Sequence, residues 1–125
     1  MQKLIKSDSQ VEQYFEERCF ITEIINDETL PGLSIARARV LPGITTILHS
    51  LSPSIEIYYI LQGEGEMEID GSITGRVKTG DTIYIPAGES QRIKNCGDGD
   101  LIFLCVCNPR FSVEQYKTLE TAVIH

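Results

Sequence analysis

The sequence predicts an all-β fold, a sandwich or barrel of antiparallel strands around one core. Three observations predict it. Short runs of β-branched and aromatic residues recur about every 8 to 12 residues between residues 19 and 108. Clusters of Gly, Pro, Asp, Asn and Ser separate those runs. No strand–helix–strand rhythm of a parallel sheet interrupts them. At 125 residues the chain has room for a single domain.

The elements follow in chain order. Ser9 is placed to cap a short helix over residues 10 to 17, with Val11, Tyr14 and Phe15 on one side. CFITEII, from Cys19, reads as a strand and NDETLPG as a loop. In LSIARARV, residues Leu33, Ile35, Arg37 and Arg39 share one face, and Ser34, Ala36, Ala38 and Val40 the other, until Pro42-Gly43 ends the run. The arginines are expected against a partner strand, solvent or a second copy. ITTILHSL is β-branched and closes at SPS; IEIYYILQ is strongly strand-like. EGEMEID alternates, so Glu64, Glu66 and Glu68 are expected to be wet and Gly65, Met67 and Ile69 buried. Asp70-Gly71 signals a two-residue hairpin turn with SITGRVK as the return strand. TIYIP, QRIKN and LIFLCVC are the remaining strands. Ser112 and Gln115 form a capping-box pattern ahead of a short helix over 113 to 120. The expected layout is one domain over 1–125, with a barrel core at about 19–109, an N-terminal arm at 1–18 and a helix and tail at 112–125.

Composition narrows the function classes. Hydrophobic residues make up 42% and charged residues 23%, ordinary globular usage. No apolar run approaches the roughly 18 residues of a membrane span. The start turns polar after Ile5, so no secretory segment is expected and the expected location is cytoplasmic. Eleven basic against 18 acidic residues leave a net charge of −7, a poor match to nucleic acid or an anionic membrane. The four cysteines, Cys19, Cys96, Cys105 and Cys107, contain no CxxC pair and read as reduced thiols. Histidine is scarce, with only His49 and His125, so a site of three protein histidines is excluded within one chain.

Two segments stand out together. One runs from Gly43 through His49, Leu51 and Glu56 to Gly63; the other runs from Gly80 through Pro86, Gly88 and Gln91 to Asn95. Their spacing resembles the two signature motifs of the cupin superfamily: Gly, five residues, His, one, His, four, Glu, six, Gly; then Gly, five, Pro, one, Gly, two, His, three, Asn. Every spacing matches. Leu51 and Gln91 stand where that pattern has its second and third histidines. The resemblance covers about residues 31 to 109 and implies a cupin-type double-stranded β-helix, a jelly-roll barrel, here with short N- and C-terminal helical segments.

By spacing alone, positions 49 and 51 project to one side of a strand. Tyr58 and Ile60 share the face of Glu56, and Phe103, Cys105 and Cys107 share one face of the last long strand. The resemblance implies that these faces line the pocket. It also implies a divalent transition metal (iron, nickel, manganese or zinc) held by the His49 nitrogen, the Glu56 carboxylate and the Gln91 amide oxygen. Leu51 is unable to bind and Gln91 is a weaker ligand than imidazole. The alternative is a hydrogen-bonded network of His49, Glu56 and Gln91 that satisfies a buried carboxylate without a metal. Pocket-lining candidates are Leu51, Tyr58, Ile60, Phe103, Cys105 and Cys107.

Three functions remain open at this level. The first is a metal-dependent oxygenase, isomerase or lyase acting on a small organic substrate, with Tyr58 as an acid or orienting group. The second is a metal-free enzyme similar to the deoxysugar-epimerase branch of cupins, with His49 as general base. The third is a small-molecule-binding module without catalysis. A homodimer is expected, because open sheet edges need cover; the segment 1–18 is the candidate cover.

Overall fold

The computed structural model describes residues 5–7, 11–15 and 18–120. The strands are β1 (Gln13–Phe15), β2 (Cys19–Ile25), β3 (Ser34–Val40), β4 (His49–Leu51), β5 (Ile55–Gln62), β6 (Glu64–Ile69), β7 (Ser72–Lys78), β8 (Thr82–Ile85), β9 (Gln91–Asn95), β10 (Leu101–Asn108) and β11 (Tyr116–Thr118). They form two sheets, ordered β1-β2-β3-β10-β5-β8 and β11-β4-β9-β6-β7. Every pairing is antiparallel. Among the described residues no helix is long and apolar enough to cross a membrane.

The pattern that predicted the strands also orients them. In β5, Glu56, Tyr58 and Ile60 are buried while Tyr59 and Leu61 are exposed. In β6, Gly65 and Met67 turn inward. The β6–β7 turn places Asp70 at φ 54° and Gly71 at φ 76°, the positive pair that a type I′ hairpin requires. Gly63 sits at φ 95°, and a Cβ there would lie 2.8 Å from the Asp100 carbonyl oxygen. That close approach makes a glycine necessary at this corner.

Both terminal helices are corrected. Residues 13 to 15 form a strand that pairs with β2, with Tyr14 opposite Phe20 and their rings 4.9 Å apart. Arg39 fastens this arm. Its guanidinium lies 4.2 Å over the Phe20 ring and donates to Glu12 at 2.8 and 3.0 Å and to Asp100 at 3.0 Å. Satisfying the β2 edge outweighs the local helical spacing, and the arm covers an edge of its own sheet. Ser9, Gln10, Glu16 and Glu17 lie outside the described residues. At the other end only a 3-10 turn, Val113–Gln115, forms before β11. Ser112 makes no side-chain cap; the Gln115 side chain instead meets the Ser54 hydroxyl and donates to the Arg110 carbonyl at 3.0 Å. This tertiary anchoring lets the next residues pair with β4.

The barrel interior has two halves. Val40, Ile60, Met67, Ile85, Ile93 and Leu101 fill one half as a close-packed plug. In the other half β3 contributes the small residues Ser34, Ala36 and Ala38 together with Ile35, and a cavity remains there. Tyr58 and Phe103, with ring centroids 4.5 Å apart, stand at the boundary.

Candidate functional site

The cavity is about 500 Å³, ordinary for a small-molecule site. Strand register assembles its walls. His49 of β4 pairs with Gln91 of β9. On the facing sheet, Glu56 pairs with Cys107 and Tyr58 with Cys105. Directly opposed residues share a face, so these side chains all point inward. Leu51, Glu56, Tyr58, Phe103, Cys105 and Cys107 line the cavity. Ile60 does not: it lies opposite Phe103 in register and belongs to the plug, because the Phe103 and Tyr58 rings close the cup above it.

A buried network joins three of the singled-out residues. Gln91 Nε2 donates to Glu56 Oε1 at 2.9 Å, and the Tyr58 hydroxyl donates to Gln91 Oε1 at 2.6 Å. A carboxylate only accepts, which turns the amide nitrogen toward Glu56 and leaves the amide oxygen for Tyr58. Gln91 is 1% exposed and lies behind the wall rather than in it. Cys107 Sγ approaches Glu56 Oε2 at 3.8 Å. Burial first, and then the Glu56 charge, push the Cys107 thiol up to about 12. It therefore stays protonated at neutral pH, unlike a nucleophilic or metal-binding thiolate. Arg92 points away, to Glu68 at 3.1 Å.

His49 stands apart from this network. Its Nδ1 lies 2.8 Å from the Ile47 carbonyl, which only accepts, so Nδ1 carries the proton. Its ring stacks on Tyr116 of β11, with centroids 5.0 Å apart at 19°. Among the described residues Nε2 has no hydrogen-bond partner, and the ring lines the cup. Burial lowers the His49 pKa below its ordinary 6.5, so the imidazole is neutral at pH 7 and Nε2 offers a lone pair to the cavity.

A sign follows for stability. As pH falls below about 6.5, the unfolded chain takes up a proton that folded His49 resists. The contribution of neutral His49 is therefore complete above that pH. It is lost on acidification down through the lowered folded value. Melting temperatures from about pH 5 to 8 should fall on the acid side, and His49→Gln should flatten that limb. Parallel limbs in the two proteins would show that another group is responsible.

The donor set can be tested against a resident divalent metal. Leu51 offers no donor, and both polar atoms of the Gln91 amide are engaged. One imidazole nitrogen and one carboxylate remain, short of the three protein ligands that catalytic metal sites commonly use. Among the described residues no group of three or more His, Cys, Asp or Glu is arranged to hold a metal ion. In this arrangement the residues present do not fit the metal.

Sequence reasoning missed Tyr116, which stacks on His49, and Asn26, Phe15 and Phe111, which also line the cup. Tyr116 and Phe15 fell within helical spacing, and nothing local marked Asn26.

The two-sheet barrel, the inward pair of motifs and the open cup together define a cupin. The Cupin domain family matches residues 36–107, and the chain belongs to that family. It is 38% identical over 122 residues to the uncharacterized protein MJ1618 of Methanocaldococcus jannaschii, covering 94% of this chain and 97% of that one. It is 42% identical over 71 residues to the oxalate-binding protein of Thermotoga maritima, covering 57% of this chain and 58% of that one. The crystal structure of a predicted oxalate decarboxylase from Thermotoga maritima superposes with a TM-score of 0.75 at 28% identity, covering 85% of this chain and 99% of that one.

Proposed function

We propose that this cupin binds a small organic molecule in its cup without a resident metal, with His49 Nε2 as the polar anchor. One observation carries the reading: the Gln91 amide is closed on both sides, by Glu56 and by Tyr58. The residue in the third histidine position thus holds a buried carboxylate in place and, 1% exposed, lies behind the cup wall. His49, held in one tautomer by Ile47 and stacked on Tyr116, supplies an oriented acceptor to a mostly apolar chamber.

The direct test is metal content. Tag-free protein should carry far less than one transition-metal ion per chain by mass spectrometry, and its melting temperature should not move on chelation. Near-stoichiometric metal in the wild type, lost in Glu56→Ala, would overturn the reading and support the His49, Glu56 and Gln91 ligand set.

We also propose a homodimer, formed through the outer face of the larger sheet rather than through the arm. Val106, Ile57 and Tyr84 lie in one cross-strand row on that face, with Leu104 opposite Tyr59 beside it. Tyr84 is 56% and Tyr59 42% exposed. An apolar row of this kind on a chain of net charge −7 favours a covering surface over water. A second copy brings a matching row by two-fold symmetry. The wild type should elute as a dimer and Tyr84→Glu as a monomer. A monomeric wild type, or a dimeric Tyr84→Glu, would refute it.

A further inference from the structure

We infer that the cup selects a small organic cation, an ammonium ion on an aromatic or branched apolar body, and rejects carboxylates. This rests on the reading of the cup as a metal-free organic site.

Charge gives the first argument. The described wall residues include Glu56 inside and Glu23, exposed at the rim, but no lysine or arginine. Arg110 adjoins Phe111 in sequence but is not a wall residue: its charge acts on Asp27, and its Nε is buried with no hydrogen-bond partner among the described residues. His49 turns Nε2 to the cup, its Nδ1 proton being held by the Ile47 carbonyl. A carboxylate ligand would bring a third negative charge into a partly desolvated space, where like charges repel most strongly.

Hydrogen-bond polarity gives the second. Among the described residues Asn26 Oδ1 is buried without a hydrogen-bond partner, while its Nδ2 donates to the Phe111 carbonyl at 3.0 Å. The open groups at the wall are thus acceptors: Asn26 Oδ1 and His49 Nε2. Two of the donors at the wall are already committed. The Tyr58 proton goes to Gln91, and Thr46 Oγ1 exchanges bonds with the Ile93 backbone. A ligand with N–H donors would satisfy the open acceptors; one that only accepts would leave them orphaned.

The walls give the third. Phe15, Phe103, Phe111 and Tyr116 line the same cavity, and aromatic faces attract cations. Acidic groups with aromatic walls are a combination suited to an ammonium head and an apolar body.

An isosteric series tests this by calorimetry at pH 7 with chelator present: benzylamine, benzyl alcohol, benzoate and oxalate. Benzylamine should bind about tenfold or more tighter than benzyl alcohol, and benzoate and oxalate should give no heat. Glu56→Gln should reduce the ratio of benzylamine to benzyl alcohol affinity to about one. Should Glu56→Gln fold poorly, Glu23→Gln at the rim should weaken benzylamine more than benzyl alcohol. Benzyl alcohol or benzoate binding as well as benzylamine, or unaltered selectivity in both variants, would overturn the cation inference while leaving the organic cup standing. Silence from all four probes, with oxalate bound only after manganese is added, would overturn both.

Discussion

Replacing Gln91 by leucine should destabilise the protein by about 3 kcal/mol, because it removes a hydrogen bond from each of two buried polar groups, one of them a carboxylate. Leucine has similar bulk, so the effect does not arise from a cavity. It arises from Glu56 and Tyr58, which are 7% and 4% exposed and share the one amide between them. Removing the amide takes a hydrogen bond from the carboxylate and from the hydroxyl at once. Tyr58→Phe deletes only one neutral bond and should cost about 1 kcal/mol. Denaturant titration of the metal-free protein measures both. If Gln91 were mainly a metal ligand, its loss would abolish metal uptake and leave the stability of the metal-free protein nearly unchanged. A Gln91→Leu protein as stable as wild type would therefore count against the buried network.

Leu51→His should convert the cup into a metal site. Leu51 lies two residues beyond His49 on the same inward face and lines the cavity. A histidine there would join His49 and Glu56 as two imidazoles and one carboxylate, the set that non-haem iron sites use. The Gln91 network stays intact, so the fold should survive. The variant should take up iron, manganese or nickel near one ion per chain. Its melting temperature should rise with metal concentration, by about 2.7 kcal/mol of stability at a hundredfold excess over Kd. The wild type should show neither effect. Equal uptake by both proteins would show that the wild-type cup already holds a metal. No uptake by either would show that a missing donor is not what keeps the metal out.

The strands were legible because burial leaves a period of two. Glu56, Tyr58 and Ile60 alternate with Ile57, Tyr59 and Leu61, and the structure buries the first set more deeply. Turns were legible where backbone sterics demand glycine, as at Gly63 and Asp70-Gly71. The termini were not legible. Tyr14 and Phe15 fit a helix locally as well as a strand, and pairing with β2 together with the Arg39 clamp decides between them. Ser112 and Gln115 match a capping box, but Ser54 and Arg110 compete for the Gln115 side chain and prevail.

The inward positions of the site are likewise set by the chain itself. Residues two apart on a strand share a face, so His49 with Leu51, Glu56 with Tyr58, and Cys105 with Cys107 had to fall on common sides. Which atoms meet was settled only by the tertiary structure. Gln91 was a plausible ligand by position, and its amide becomes a bridge because a carboxylate and a hydroxyl from another sheet close on its two ends. His49 acquires its tautomer from Ile47 and its stacking partner from Tyr116, 67 positions along the chain (116 − 49 = 67). Local sequence determines direction along a strand through sterics and burial. Hydrogen-bond partnership across a barrel depends on distances between strands far apart in the chain, and those exist only once both sheets are in place.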